Sequence, residues 1–197
     1  MDLRIGFFGD SFVNGQGDPD ALGWVGRVCA AAMGRGHDVT MYNGGIRGDT
    51  SADVRVRWHD EAMRRLPAEH GRGLVFAFGV NDCMSVSGRS RVEAAQTVAN
   101  ARQILAEAKT LAPTLMVGPP PVGEAAINER LRDLDAALTV LCREFGVPFL
   151  DVFDPLQASA AWMGEVSAGD GAHPGRAGYR ALAELVDRWP PWRAWLP

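Results

Sequence analysis

A serine hydroxyl becomes a nucleophile near neutral pH only when a base takes its proton, and the base needs a carboxylate to fix its tautomer. Residues of these types stand in two short segments of this 197-residue chain. Ser11 lies in Gly9-Asp10-Ser11-Phe12, directly after the apolar run Leu3 to Phe8, with Gly15 and Gly17 close behind. Asp170-Gly171-Ala172-His173-Pro174 puts a carboxylate three residues before an imidazole, so both side chains can share one rim. Taken singly, the first segment also reads as a strand-to-helix turn with a capping serine. His173 taken singly is a residue that merely precedes Pro174. The other histidines, His37, His59 and His70, fall before a strand, in a charged helix and in a polar turn, and read as structural or solvent-facing.

Two further loops could supply donors to a developing oxyanion. Asn43 to Ser51 is rich in glycine, and a glycine N–H there can face a cleft without side-chain obstruction. Gly79-Val80-Asn81-Asp82 offers a side-chain amide. Each is equally compatible with an ordinary turn.

The positions of these segments depend on the elements around them. Short apolar runs (Leu3 to Phe8, Val39 to Tyr42, Leu74 to Phe78, Thr114 to Val117, Val147 to Val152) alternate with longer amphipathic stretches. Those stretches predict helices over Ala21 to Met33, Ala52 to Leu66, Arg91 to Leu111, Glu124 to Phe145 and Ala177 to Trp189. Strand followed by helix, five times over, predicts an α/β fold: a five-stranded parallel sheet in a three-layer α/β/α sandwich. Ligands of such sheets sit at the carboxyl ends of the strands, which is where all four segments fall. No repeat or linker interrupts residues 1–197, so a single domain is expected.

In this order the segments resemble those of the GDSL/SGNH hydrolase family. The blocks are Gly9-Asp10-Ser11-Phe12 with Gly15, Gly48-Asp49-Thr50-Ser51, Gly79-Val80-Asn81-Asp82 and Asp170-Gly171-Ala172-His173-Pro174. They span nearly the whole chain; Phe12 stands where the family's name has Leu. The resemblance implies a flavodoxin-like SGNH topology and a serine esterase with a Ser11–His173–Asp170 triad. It implies an oxyanion hole of the Ser11 and Gly48 backbone N–H groups with the Asn81 side chain. It also implies a structural Asp10, an acyl-enzyme intermediate, and neither metal nor organic cofactor.

Composition narrows the partners. The net charge of -4, with Lys109 the only lysine, gives no basic patch for nucleic acid. No apolar run reaches the ~18 residues of a membrane span. Cys29, Cys83 and Cys142 form no CxxC pair and read as reduced thiols. Met1 to Arg4 runs straight into Ile5 to Phe8 without the pattern of a signal peptide, so a cytoplasmic location is expected. The expected partner is a small-molecule ester; a homo-oligomer is left open.

Competing readings have weaker support. Gly45 and Gly48 match the last two glycines of a dinucleotide-binding loop, but Asn43 occupies the first position and the stretch follows the second strand. Asp10 and Asp82 could offer oxygen ligands to a metal-dependent phosphoesterase, but no histidine pair has ligand spacing. A non-catalytic binding module and a Cys83 nucleophile are further alternatives.

For the substrate pocket, Phe12, Cys83, Pro120 and Trp162 are expected to form an apolar wall suited to small acyl groups; Trp162 could equally fill the core. The tail from Trp189 to Pro197 is expected to pack back over the domain, with a partner surface as the alternative.

Overall fold

The computed structural model describes residues 2–196. Five strands form one parallel sheet: β1 (Leu3–Gly9), β2 (Val39–Gly45), β3 (Gly71–Ala77), β6 (Thr114–Val117) and β7 (Phe149–Leu150). Their spatial order is β2-β1-β3-β6-β7, with every neighbouring pair parallel. This is the flavodoxin-like order that the sequence comparison implies. A two-stranded antiparallel hairpin, β4 (Ser85–Val86) and β5 (Arg89–Ser90), stands apart from the sheet.

Alternation along β1 explains the three layers. Side chains of successive strand residues point to opposite faces. Phe7 packs edge-on against Trp24 of helix α2 (Gly23–Gly34), ring centroids 5.7 Å apart. Phe8 turns the other way, toward Trp58 of α3 (Ser51–Arg65). Both faces are therefore covered, and β1 is apolar from Ile5 to Phe8. On one face α2 packs with α9 (Arg176–Arg188). The other carries α3, α5 (Ala94–Leu111) and α6 (Ala125–Phe145).

Several boundaries shift for local reasons. Helix α2 starts at Gly23 rather than Ala21, because Ala21 adopts a left-handed φ of 54°. The Asp18 carboxylate accepts from the backbone N–H of Gly23 at 2.8 Å and from Arg27 at 2.5 Å. Helix α5 starts at Ala94 rather than Arg91, since Arg91 and Val92 still bond back to Met84 and to the Asp82 carbonyl. β7 has only two residues of the six expected, because the chain leaves α6 through a left-handed Gly146 and pairs with β6 at one edge alone.

The strand-to-helix turn read at Ser11 is a single helical turn, α1 (Ser11–Asn14), and four short helices were not foreseen: α4 (Val80–Cys83), α7 (Phe153–Gln157), α8 (Ala160–Ala168) and α10 (Pro190–Arg193). The tail does pack back. Trp192 is fully buried, 6.1 Å from Phe7 and 6.2 Å from Trp195 between ring centroids. Among the described residues no helix is long and apolar enough to cross a membrane.

Candidate active site

The site is levelled by the register of the sheet. Gly9 of β1 is paired with Gly45 of β2 and with Ala77 of β3, so three chains leave the sheet at one height. Gly9 has no room for a side chain: a Cβ there would lie 1.8 Å from the Ala77 carbonyl oxygen. Its own carbonyl accepts from Ile46 N–H at 3.0 Å and from the Arg57 guanidinium at 2.9 Å. Arg57 in turn donates to the Asp49 carboxylate at 2.6 Å. The ends of β1, the glycine loop and α3 are thus joined by one side chain.

Ser11 is the first residue of α1, and Asp10 caps that helix by accepting from Phe12 N–H at 2.9 Å. The cap turns the chain sharply and leaves the Ser11 N–H, at the helix start, without a protein acceptor among the described residues. Asp10 is buried, and its other oxygen has no hydrogen-bond partner. Burial pushes its carboxyl up to about 7, aided by the negative charges of Asp82 and Asp49 and opposed by the Phe12 N–H.

His173 reaches Ser11 across 162 residues of chain: Nε2 stands 2.8 Å from Oγ. Its Nδ1 stands 2.7 Å from Asp170 Oδ2. The other carboxylate oxygen accepts from the backbone N–H groups of Ala172 (2.9 Å) and His173 (2.8 Å). Partial burial works against the charge on Asp170. The His173 N–H, the His173 ring and the Ala172 N–H outweigh it and hold the carboxyl down to about 2. An ionised carboxylate only accepts, so Nδ1 carries the proton and Nε2 has a lone pair for the Ser11 hydroxyl. The arrangement can remove a proton from that hydroxyl.

The two donor loops lie beside it. Ile46 to Asp49 form a tight turn closed by Asp49 N–H to Ile46 O at 3.2 Å. Gly48 takes its third position with φ +86°, a conformation that side chains resist. The Gly48 N–H has no protein acceptor among the described residues. Directly after it, Thr50 and Asp53 cap α3 reciprocally. Asn81 on α4 donates through Nδ2 to the Asp49 carbonyl at 2.9 Å. One amide hydrogen is thereby fixed and the other remains to be offered.

Asp82, missed as a structural element in the sequence, holds the Asn81 loop from below. It is fully buried and accepts from Ser51 N–H (2.9 Å), Ser51 Oγ (2.5 Å) and Thr97 Oγ1 (2.9 Å). Asn100 donates to Ser51 Oγ at 2.9 Å. The polar residues of the Gly48 and Asn81 blocks therefore meet in one buried network. Their spacing in sequence gives no sign of it.

The expected apolar wall needs correction. Trp162 is fully buried, and its indole N–H donates to the Pro121 carbonyl at 2.9 Å. Phe12 stacks on Trp162 and lies tilted against the His173 ring, at centroid distances of 6.1 and 4.9 Å. Pro120 lines a water-sized void of about 10 Å³ under Asp10. Cys83 is buried as well. Large apolar groups in these loops are drawn into the core, where burial of one such side chain is worth about 1.5–3 kcal/mol, and they back the site rather than face its opening. An open groove beside Asp170, about 410 Å³, is lined by Met84, Val122, Glu124, Ile127, Ser167 and Gly171.

Burial pushes the Cys83 thiol up to about 12, with the Asp82 charge adding to it, which is opposite to what a thiolate nucleophile requires. The histidines set aside in the sequence are remote: His37 and His70 precede the opposite ends of β2 and β3, and His59 lies on α3. Among the described residues no three His, Cys, Asp or Glu side chains converge on a metal position.

Comparison with known proteins accords with this geometry. A family model described as GDSL-like lipase/acylhydrolase matches residues 7–181. The lipase/acylhydrolase from Enterococcus faecalis is similar in structure, with a TM-score of 0.76, 22% identity and 96% of each chain covered. A lipolytic protein of the G-D-S-L family from Veillonella parvula gives 0.76 at 19% identity, over 93% of this chain and 96% of that one. The acetylxylan esterase Axe2 from Geobacillus stearothermophilus gives 0.75 at 20% identity, over 92% and 91%. No curated protein sequence matches the chain.

Proposed function

Since the chain belongs to the GDSL-like lipase/acylhydrolase family and is a carboxylic ester hydrolase, we propose that Ser11, His173 and Asp170 carry out its hydrolysis through an acyl-enzyme. The observation that carries the reading is the unbroken line of hydrogen bonds from Asp170 through His173 to Ser11.

Ser11 Oγ attacks the ester carbonyl carbon while its proton passes to His173 Nε2. Negative charge gathers on the former carbonyl oxygen, which the Ser11 and Gly48 N–H groups and Asn81 Nδ2 receive. The C–O bond to the alcohol breaks, and His173 returns the proton to the departing alkoxide. A water molecule, deprotonated by His173, then attacks the acyl-Ser11 ester, and the acid leaves as Ser11 regains its proton.

Small esters, acetyl groups among them, fit this site best. The groove beside Asp170 is open, and the large apolar residues near Ser11 are turned into the core. The likeness to an acetylxylan esterase makes acetylated sugars a sensible first choice. Three buried thiols without a disulfide fit a reducing compartment such as the cytoplasm. A net charge of -4 suits a small ester better than a nucleic acid as partner.

The test is a panel of aryl acetates, acetylated sugars and acyl esters of rising chain length, run on wild type and Ser11→Ala. Loss of activity on the order of 10⁶-fold in kcat is expected for the variant, together with loss of fluorophosphonate labelling. Full activity in Ser11→Ala would refute the mechanism, and a maximum at long acyl chains would refute the substrate assignment.

A further inference from the structure

Between α8 and α9 the chain makes a seven-residue loop, Gly169 to Gly175, that carries both Asp170 and His173. One residue outside the loop binds both of its ends. The backbone carbonyl of Glu165, on α8, accepts from Gly169 N–H at 3.0 Å. Its carboxylate crosses to the far end and accepts from Gly175 N–H at 2.9 Å, Gly178 N–H at 2.7 Å and Ala177 N–H at 3.1 Å.

The need for this carboxylate follows from α9 itself. The first turn of a helix leaves N–H groups without partners, and a side chain at the N-cap usually receives one of them. The N-cap of α9 is Gly175, which has no side chain. Glu165 fills that role from a neighbouring helix, and a negative charge is favoured at a helix N-terminus. Space is kept for it: a Cβ on Gly178 would lie 3.2 Å from the carboxylate and 2.5 Å from Pro174. On its open side the carboxylate borders a groove behind the loop that is also lined by Asp170, His173 and Pro174.

We propose that Glu165 is a positioning residue for the reaction: by clamping both ends of the 169–175 loop it holds the His173 imidazole at hydrogen-bonding distance from Ser11. The inference rests on the assignment of Ser11 and His173 made above. Glu165 touches neither substrate nor the reacting atoms. Releasing the carboxylate end would free Pro174, and with it the position of the imidazole, while Gly171 stays held: its N–H donates to Val166 O at 3.1 Å and its carbonyl accepts from Gly123 N–H at 2.8 Å.

Glu165→Ala and Glu165→Gln are compared with wild type and Ser11→Ala on one small chromogenic ester, well below the lowest Tm of the set. Glu165→Ala is expected to lose roughly 10- to 100-fold in kcat, the scale of a small misplacement of a reacting group. KM should stay within about twofold, and fluorophosphonate labelling of Ser11 should slow in parallel. Glu165→Gln keeps one oxygen for the Gly175 and Gly178 N–H groups and should recover part of the loss. A purely stabilising role would lower Tm and leave kcat and labelling unchanged, which would overturn the proposal. If the alanine variant fails to fold, Glu165→Asp, whose carboxylate is one methylene short of the Gly175 and Gly178 N–H groups, takes its place, and wild-type kcat and labelling there would overturn the proposal equally. An active Ser11→Ala would refute the nucleophile itself; an inactive Ser11→Ala beside unaltered Glu165 variants would refute the clamp alone.

Discussion

The side-chain amide of Asn81 donates to the backbone carbonyl of Asp49, 2.9 Å away and 32 residues earlier in the chain. This bond sets the amide before any substrate arrives, so its second hydrogen need not be ordered during the reaction. Preorganised donors of this kind are most effective where charge develops. Asn81→Ala is expected to lower kcat by about 10²–10³ with little change in KM. Steady-state kinetics on a small acetyl ester check this, and an unchanged kcat would remove Asn81 from the oxyanion site.

Asp170→Asn keeps the shape of the loop and reverses one hydrogen bond. The new amide can donate to His173 Nδ1, which puts the ring proton on Nε2 and takes away the lone pair that faces Ser11. A loss near 10⁴-fold in kcat is expected, as in triads generally. The wild-type carboxyl is held at about 2, so it stays ionised down to acid pH. The stability it contributes is present above the ordinary value of 3.8 and is lost as pH falls from there toward about 2. No limb of the activity profile between about pH 4 and 10 should therefore come from ionisation of Asp170 itself; thermal melts in which wild type loses no stability relative to Asp170→Asn as pH falls from about 4 toward 2 would contradict the assignment.

Asp10 titrates in the opposite sense. Its folded carboxyl lies near 7 against 3.8 for the free group, because burial favours the neutral form. The folded state then binds the proton more tightly than the unfolded state between these values, and stability falls as pH rises through that window. Asn in its place can still accept from the Phe12 N–H and never ionises. Asp10→Asn should be more stable than wild type above pH 7, by an amount on the order of a few kcal/mol read as a higher Tm, and the gain should vanish toward pH 4. Thermal melts across that range test it; a pH-independent difference would exclude Asp10 as the titrating group.

Cys29, Cys83 and Cys142 are all buried and all pushed up to about 12, chiefly by burial. The native protein should resist iodoacetamide at neutral pH without loss of activity, and the unfolded protein should take up three labels. Inactivation of the native protein would revive Cys83 as a participant. Mass spectrometry before and after denaturation distinguishes the two.

The parts of the fold visible in the sequence are those with strong, repeated signals. A strand covered on both faces reads as an apolar run, so β1 and β6 were placed to within a residue of their observed ends. The long helices were legible from their amphipathic spacing. The chemistry-bearing residues were visible as short polar and glycine blocks after strands. Residues whose role depends on neighbours distant in sequence were not visible. Trp162 reads the same whether it faces a substrate or the Pro121 carbonyl. Helix α8 had a signal, Ser159 ahead of an alanine-rich turn, where the Ser159 hydroxyl caps Trp162 N–H. Without α8, the separation of ten positions between Glu165 and Gly175 carries no hint that the two meet.

The common level of Gly9, Gly45 and Ala77 has a consequence for how this chain can change length. One residue inserted within β1 would advance Ser11 by about 3.3 Å and turn the rest of the strand inside out. The same insertion at the tip of the Ser85–Ser90 hairpin, outside the main sheet, would meet only the slow growth of loop entropy. Insertions and deletions are thus tolerated in the hairpin and forbidden within β1, and the chain can change length next to Met84, which lines the groove beside Asp170, without realigning Ser11 and His173.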